Sequence, residues 1–145
     1  MLRPLSATFT LGWLLGLLAC PVSAQNPPDV QPLWDELTAK STANDQAGAE
    51  AAAGKLIEAL APAAKDFTLG IQLNSALHNR ASIRYNRGDF AGAEADLLAS
   101  VDQARAIEML PGLPPQSAPQ LQAMIDDRVR LSLRGLTNFY LAAGD

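Results

Sequence analysis

The stretch that decides the fold runs from residue 73 to residue 106 and reads LNSALHNRASIRYNRGDFAGAEADLLASVDQARA. Apolar or small residues recur along its first half mostly at steps of three or four, which is the period of an amphipathic helix. They are Leu73, Ala76, Leu77, Ala81 and Ile83 or Arg84. A second set follows at helical spacing: Phe90, Ala93, Leu97, Val101 and Ala104. The stretch therefore predicts two amphipathic helices.

A short turn joins these two helices. Gly88 suits a helix C-terminus, where a residue with left-handed backbone is common. Asp89 suits the N-cap of the next helix, because its carboxylate can accept a hydrogen bond from a free backbone N–H. Helices joined by so short a turn pack antiparallel. The small side chains of Ala81 and Ala93 would let the two backbones approach closely.

At these residues the stretch resembles a tetratricopeptide repeat. That family has a large apolar residue, a small residue four positions on, a Gly-Asp-aromatic turn, and then alanine, a large apolar residue and a small residue. The matching positions here are Leu77, Ala81, Gly88-Asp89-Phe90, Ala93, Leu97 and Ser100. Arg80 and Arg84 depart from the pattern, which usually has leucine and tyrosine there. The match covers about a quarter of the chain, and it implies a stack of antiparallel helix hairpins.

The chain also repeats itself. The segment Asp45–Ala51 aligns with Asp89–Ala95 at a shift of 44 residues, and six of the seven positions are identical. Abundant alanine could produce such a match by coincidence. The shift keeps one register through both helices and the turn, however, which favours a true repeat. A period of 44 residues is longer than the about 34 residues of the standard tetratricopeptide repeat.

Extending these patterns along the chain predicts an all-α fold, a short α-solenoid of about five helices. We expect helices near residues 30–43, 45–63, 68–88, 89–110 and 118–143. Residues 25–32 are polar and proline-rich and predict a flexible lead, and residues 33–145 form the helical domain. A proline-rich loop is expected at residues 111–117.

The first 24 residues resemble a secretory signal peptide. Arg3 supplies the positive charge, and an apolar run of 11 residues from Phe9 to Ala19 is too short to span a bilayer. Small residues precede a cleavage point after Ala24, so we expect a periplasmic or secreted product. The alternative is a lipoprotein attached through Cys20, but Leu18 and Pro21 fit a lipobox poorly, which makes this less favoured.

Composition limits the function. Removal of residues 1–24 would leave ten basic and fifteen acidic residues, a net charge of −5, which argues against general nucleic-acid binding. Cys20 is the only cysteine and His78 the only histidine, so a Cys-His pair in the mature chain is excluded. We see no glycine-rich phosphate loop and no metal-ligand spacing. We therefore expect no catalytic residue, no metal site, no cofactor and no enzyme activity.

The resemblance implies a scaffold that holds a protein or peptide in a groove lined by the first helix of each repeat. Carried over position by position, the groove residues are Trp34, Thr38, His78, Ser82, Tyr85, Asn86, Arg134 and Asn138. The lysine and asparagine of the family's carboxylate-clamp subtype are absent, so recognition of a chaperone C-terminus is not expected. The partner's identity stays open, and the alternative function is an accessory subunit or small hydrolase of the cell envelope.

Two features qualify this interpretation. Arg80, Arg84 and Arg87 share one helical face, and we expect Arg80 to pair with Asp96 while Arg84 or Arg87 is freer to meet a ligand.

In the last helix the expected apolar stripe is Leu121, Ile125, Val129, Leu133, Leu136 and Tyr140. Leu131, Phe139 and Leu141 lie off that stripe, so this helix could carry a surface for self-association. The last helix ends at Gly144-Asp145, where the pattern would start another turn.

Overall fold

The computed structural model describes residues 29–108 and 116–144, and within these ranges the chain contains five α-helices and no strand. The helices are α1 (Gln31–Thr42), α2 (Gln46–Leu60), α3 (Phe67–Asn86), α4 (Phe90–Ala106) and α5 (Ala118–Ala143), with a 3-10 turn at Ala61–Ala63. The predicted all-α fold is confirmed. The predicted signal peptide, the start of the lead and most of the proline-rich loop lie outside the described residues.

Each helix packs against the next one along the chain. The contacts run from α1 to α2, from α2 to α3, from α3 to α4 and from α4 to α5, and α3 also touches α5. The helices α1 and α2 form the first hairpin, α3 and α4 form the second hairpin, and α5 lies against α4. The prediction that helices two to four are consecutive neighbours is confirmed.

The turns of the two hairpins have the same backbone geometry. Asn44 and Gly88, 44 residues apart, both have positive φ angles of 57° and 81°. The aspartate that follows each of them caps the next helix: Oδ1 of Asp45 accepts from the Gly48 amide, and Oδ1 of Asp89 accepts from the Gly92 amide, both at 2.9 Å. The cap predicted at Asp89 is therefore present, Asp45 makes the equivalent cap, and the internal repeat is visible in hydrogen bonds as well as in sequence.

Three apolar clusters hold the helices together. The largest joins the first hairpin to α3 and is built around Leu37, Leu56, Leu60 and Leu73. A second cluster of Ala81, Ala93, Leu97 and Phe139 joins the second hairpin to α5. A third cluster of Phe67, Ile107 and Ile125 closes the opposite end of the same three helices. Burial of these side chains is the main stabilising term in the fold.

The link between α2 and α3 is fixed to α4. Nε2 of Gln103 donates to the Ala64 carbonyl at 2.5 Å. A Cβ atom on Gly70 would lie 2.6 Å from that same carbonyl oxygen, so only glycine permits this close approach. The α4 helix ends at Ala106, earlier than the predicted residue 110, because Ile107 takes an extended backbone and buries its side chain beside Gly70.

Two predictions of side-chain placement were wrong. The buried face of α5 contains Ile125, Ser132 and Phe139, whereas Leu133 is 40% exposed. The sequence pattern favoured Leu133 because it is apolar, but α5 packs on α4 through a strip that includes a serine. Phe90, the first residue of the apolar stripe predicted for the second helix, is 54% exposed, and its ring makes a T-shaped contact with Tyr85 at 5.3 Å between centroids.

Candidate functional site

A cavity of about 340 Å³ lies between α3 and the C-terminal half of α5. Its floor comes from α4, which lies beneath both helices. The residues that line it are His78, Ala81, Ser82, Tyr85, Ala93, Leu97, Gly135, Asn138, Phe139 and Ala142. This volume is at the small end of the range of about 300–1,000 Å³ that is typical of ligand sites.

Small residues at helix contacts create the cavity. Ala81 on α3 and Ala93 on α4 are buried and have only a methyl group to offer. On α5, a Cβ atom at Gly135 would lie 3.0 Å from Cε1 of His78 and 3.2 Å from Cδ2 of Leu97. The missing side chain at Gly135 therefore leaves room for the imidazole. Phe139 and Tyr85 form an aromatic wall, with centroids 6.0 Å apart and ring planes at 72°.

The His78 ring is half-buried and its inner edge meets a polar layer. Nε2 of His78 lies 3.1 Å from Oγ of Ser132 and 3.3 Å from Oγ of Ser100. Asn74 joins the layer by donating to the Ser100 carbonyl at 2.7 Å and to Oγ of Ser132 at 3.0 Å. This edge of the ring is shielded from solvent, since Ser100 and Ser132 are fully buried.

The hydrogen bond of Ser100 bears on where the imidazole proton lies. Oγ of Ser100 donates to the Leu97 carbonyl at 2.7 Å, so this hydroxyl can only accept from His78. Ser132 has two acceptors within reach, Nε2 of His78 at 3.1 Å and the Ser100 carbonyl at 3.5 Å. The Ser100 hydroxyl therefore favours a proton on Nε2, with Nδ1 as the acceptor.

His78 is also kept neutral. Burial, which disfavours the charged form, lowers the pKa of His78, and the positive charge of Arg128 on α5 lowers it further. Arg128 itself lies 3.5 Å from Oγ of Ser75 on α3. In the part of the chain that the structure describes, Nδ1 of His78 has no protein hydrogen-bond partner. The cavity therefore contains one neutral ring nitrogen that can accept a hydrogen bond.

Comparison of the chain with protein-family models, curated proteins and solved structures found no match. The site is therefore interpreted from its own geometry.

The cavity brings together four of the eight predicted groove residues: His78, Ser82, Tyr85 and Asn138. Asn86 and Arg134 are exposed and do not line it. The remaining two lie on α1, away from the cavity. Nε1 of Trp34 donates to Oε1 of Gln72 on α3 at 3.2 Å, and Oγ1 of Thr38 donates to the carbonyl of its own helix. Half of the predicted groove residues thus lie around the cavity between α3 and α5.

The predicted pairing of Arg80 with Asp96 is present. Nε of Arg80 donates to Oδ2 of Asp96 at 2.9 Å, and NH2 donates to Oδ1 at 2.6 Å, which is a bidentate pair. The Asp96 side chain is only 4% exposed. The pair lies between the helices of the second hairpin, so Arg80 has a structural position.

Arg84 and Arg87 also form ion pairs, although the Arg87 side chain is 43% exposed against 21% for Arg80, so Arg87 is freer than Arg80. Nε of Arg84 donates to Oε1 of Glu50 at 2.9 Å, and its NH1 reaches Oδ2 of Asp96 at 3.1 Å. The bond to Glu50 and the nearby acids raise the pKa of Arg84. Arg87 pairs with Glu50 as well. Glu50 belongs to α2, so sequence spacing within one hairpin gave no sign of this contact between hairpins.

The lining of the cavity carries no lysine, arginine, aspartate or glutamate. Within the described ranges, no group of three or more histidine, cysteine, aspartate or glutamate residues is arranged to hold a metal ion. No described helix combines the length and apolar character needed to span a membrane. The arrangement can bind an apolar group and make neutral hydrogen bonds to it.

The apolar part of the site was not predicted from the sequence. Ala93 and Leu97 were assigned to the core, and Gly135 and Ala142 to no role. Phe139 was expected on a surface for self-association, but it is buried, and all five residues line the cavity. Gly135 was the available signal, because a glycine in the middle of a helix usually marks a close approach. The side chains that Gly135 approaches, His78 and Leu97, are on other helices, and spacing along the chain does not identify them.

Proposed function

We propose that this chain is a non-catalytic scaffold that binds a protein or peptide segment in the groove between α3 and α5. The observation that carries the proposal is the cavity in this groove, which has an apolar floor and neutral polar groups. Ser82 and Asn138 are exposed on its two sides, on α3 and α5. A binding site for a peptide needs such a combination of an anchor pocket and polar groups that fix orientation.

The character of the lining supports binding over catalysis. His78 is the only imidazole of the chain, and its Nε2 is committed to two buried serines. Ser132 is fully buried and so cannot reach a substrate. The absence of carboxylates from the lining leaves no acid-base pair at the cavity. These observations favour the scaffold over the alternative of a small hydrolase.

We also propose a family and a cellular location for this chain. The stacked hairpins and the matching turns support a relationship to tetratricopeptide repeats, with α3 and α5 as the groove-lining helices. The sequence of residues 1–24 supports export to the periplasm and cleavage after Ala24. Mass spectrometry of the mature N-terminus tests the second point, and a lipid-modified Cys20 would contradict it.

The experiment is a selection of peptides from a random library on the purified protein. Ala142 is exposed and lies at the edge of the cavity, so Ala142→Phe should obstruct the cavity without disturbing the core. Ala123 is exposed on the same helix but does not line the cavity, which makes Ala123→Phe the matched control. We expect selected peptides to lose at least about tenfold in affinity for Ala142→Phe, equal to about 1.4 kcal/mol, and to bind Ala123→Phe unchanged.

The proposal would be contradicted by peptides that bind both variants and the unchanged protein equally. A selection that yields no binding peptide would contradict it as well. Circular dichroism of the two variants, expected to match the unchanged protein, shows that both retain the fold.

Self-association through α5 is a separate prediction. Leu131, Leu133 and Leu141 are 46%, 40% and 71% exposed. Exposed apolar residues of this size can form contacts between protein copies. Sedimentation equilibrium should show a dimer that Leu141→Glu weakens, and a monomer at all concentrations would reject the prediction.

A further inference from the structure

The residues around His78 indicate which chemical group the cavity can bind. Nε2 of the imidazole faces Ser132 and Ser100, and Ser100 donates to the Leu97 carbonyl and can therefore only accept from it. The other ring edge faces Gly135, whose Cβ, if present, would lie 3.5 Å from Nδ1. The residue that faces Nδ1 from α5 is thus a glycine, which brings no side chain against it, and His78 lines the cavity.

The remaining lining restricts what can be placed beside this acceptor. No charged residue lines the cavity, so an ionic group would lose its water without gaining an ion pair there. The floor and walls are mostly apolar, and two of the wall residues are aromatic, Tyr85 and Phe139. Aromatic rings favour edge-to-face contact with a further ring. A volume of about 340 Å³ suits one large side chain rather than a length of backbone.

We infer that the cavity holds an aromatic side chain that carries a hydrogen-bond donor, the indole of tryptophan or the phenol of tyrosine, and that Nδ1 of His78 accepts that hydrogen. His78 is then the specificity-determining residue of the site. This inference rests on the proposed function, since it names the anchor side chain of the bound peptide. It goes beyond that function because a peptide could bind the same groove without any hydrogen bond to His78.

The first test uses the fact that His78 is the only histidine in the chain. A long-range ¹H–¹⁵N correlation spectrum at neutral pH reports its tautomer without ambiguity. We expect the proton on Nε2 in the free protein. A proton on Nδ1 would overturn the inference, because that nitrogen would then be a donor.

The second test uses small probes in place of the unidentified partner: N-acetyl-tryptophanamide, N-acetyl-tyrosinamide and N-acetyl-phenylalaninamide. The first two carry a donor on the ring and the third does not. We expect the donor-bearing probes to shift the Nδ1 signal and to bind about 5- to 10-fold more tightly than the phenylalanine probe. Ala142→Phe should abolish the shift, and Ala123→Phe should retain it.

The outcomes separate this inference from the proposed function. Equal affinity for all three probes, with Ala142→Phe still blocking them, would overturn the role of His78 and keep the peptide groove. Absence of any probe signal at His78, while library peptides bind in a manner sensitive to Ala142→Phe, would have the same meaning. Binding insensitive to Ala142→Phe would reject both.

Discussion

The two hairpins have the same turn but different interiors. In their buried clusters, the first hairpin has Leu37 on α1 and Ala53 on α2, and the second has Ala81 on α3 and Leu97 on α4, at positions shifted by 44 residues. The larger residue is therefore on the first helix of the first hairpin but on the second helix of the second hairpin. The turn is fixed by local hydrogen bonds, whereas the interior only requires that the combined volume fill the space between the helices.

The interiors of the two hairpins also differ in polarity. The first hairpin has Val30 and Leu56 at positions where the second has Asn74 and Ser100. The apolar pair belongs to the largest core cluster, while the polar pair is joined by a hydrogen bond of 2.7 Å. Asn74 also bonds Ser132 of α5, so the polar version attaches the next helix. This difference indicates that the second hairpin is adapted to hold α5 and to form the cavity between α3 and α5.

Removal of Asp96 should have the largest effect on stability. This carboxylate pairs with Arg80 and Arg84 and its side chain is 4% exposed. Asp96→Ala would leave Arg80 without its acid, while Arg84 would keep Glu50, and breaking a buried pair in this way costs about 3–5 kcal/mol. In the first hairpin the nearest counterpart is Glu36 with Lys55, whose side chains are 36% and 57% exposed. Glu36→Ala should therefore cost only about 0–1 kcal/mol.

Urea denaturation of the two variants measures this difference. A double-mutant cycle on Arg80→Ala and Asp96→Ala isolates the pair itself. A coupling energy of zero, or equal losses for Asp96→Ala and Glu36→Ala, would show that the charged pair adds nothing to the second hairpin.

Exchange of the large and small residues in the second hairpin tests whether its packing is interchangeable with the first. Leu97→Ala should cost about 2–5 kcal/mol, because Leu97 is buried. Ala81→Leu alone should cost about 1–3 kcal/mol through overpacking. The double variant reproduces the arrangement of Leu37 and Ala53, so its free energy of unfolding should exceed the value expected from adding the two losses. Strict additivity in a denaturation experiment would contradict the volume argument.

Loss of the helix caps should give smaller effects that are equal in the two hairpins. Asp45 and Asp89 accept the same backbone hydrogen bond at the same distance of 2.9 Å. Asp45→Ala and Asp89→Ala should each cost about 1 kcal/mol. Thermal unfolding of both variants checks this, and a difference of more than about 1 kcal/mol between them would mean that one turn depends on contacts beyond its cap.

The smallest expected effect is a dependence of stability on pH that comes from the second hairpin. His78 has a lowered pKa, so below its unfolded value of about 6.5 the unfolded chain binds more protons there than the folded chain does. The free energy of unfolding should therefore decrease as pH falls from about 6.5 to the folded pKa. Arg128 on α5 faces the ring, and the facing α4 residues Ser100 and Leu97 are uncharged.

The position of His78 in the first hairpin is occupied by Trp34, which does not titrate. His78→Gln should remove this part of the pH dependence, as measured by urea denaturation at pH values on both sides of the window. An unchanged slope in the variant would show that burial of the imidazole does not affect folding.

Much of the fold followed from local patterns. Helical periodicity, Gly88 and the aspartates at 45 and 89 predicted the helices and their turns, because caps and turns depend on neighbouring residues. The bidentate pair of Arg80 with Asp96 was also predicted, since both residues belong to one hairpin. Ends of helices were less accurate, as for α4, where burial of Ile107 stopped the helix before the proline-rich segment.

Contacts between elements distant in sequence were not predicted. The pairing of Arg84 with Glu50 joins residues 34 positions apart, and that of His78 with Ser132 joins residues 54 positions apart. Both depend on how whole helices are rotated about their axes. The rotation of α5 places Phe139 inside and Leu133 outside, and apolar spacing alone favoured Leu133. For the same reason only half of the predicted groove residues line the cavity.

Chemical-shift mapping tests most directly whether the second hairpin and α5 together form a peptide-binding groove. A peptide selected from the library would be titrated into ¹⁵N-labelled protein. We predict that the largest amide shifts occur at Ser82, Gly135 and Asn138, while Thr38, the counterpart of Ser82 in the first hairpin, does not move. Shifts concentrated at Thr38, or on the outer face of α5 around Leu133, would contradict the account.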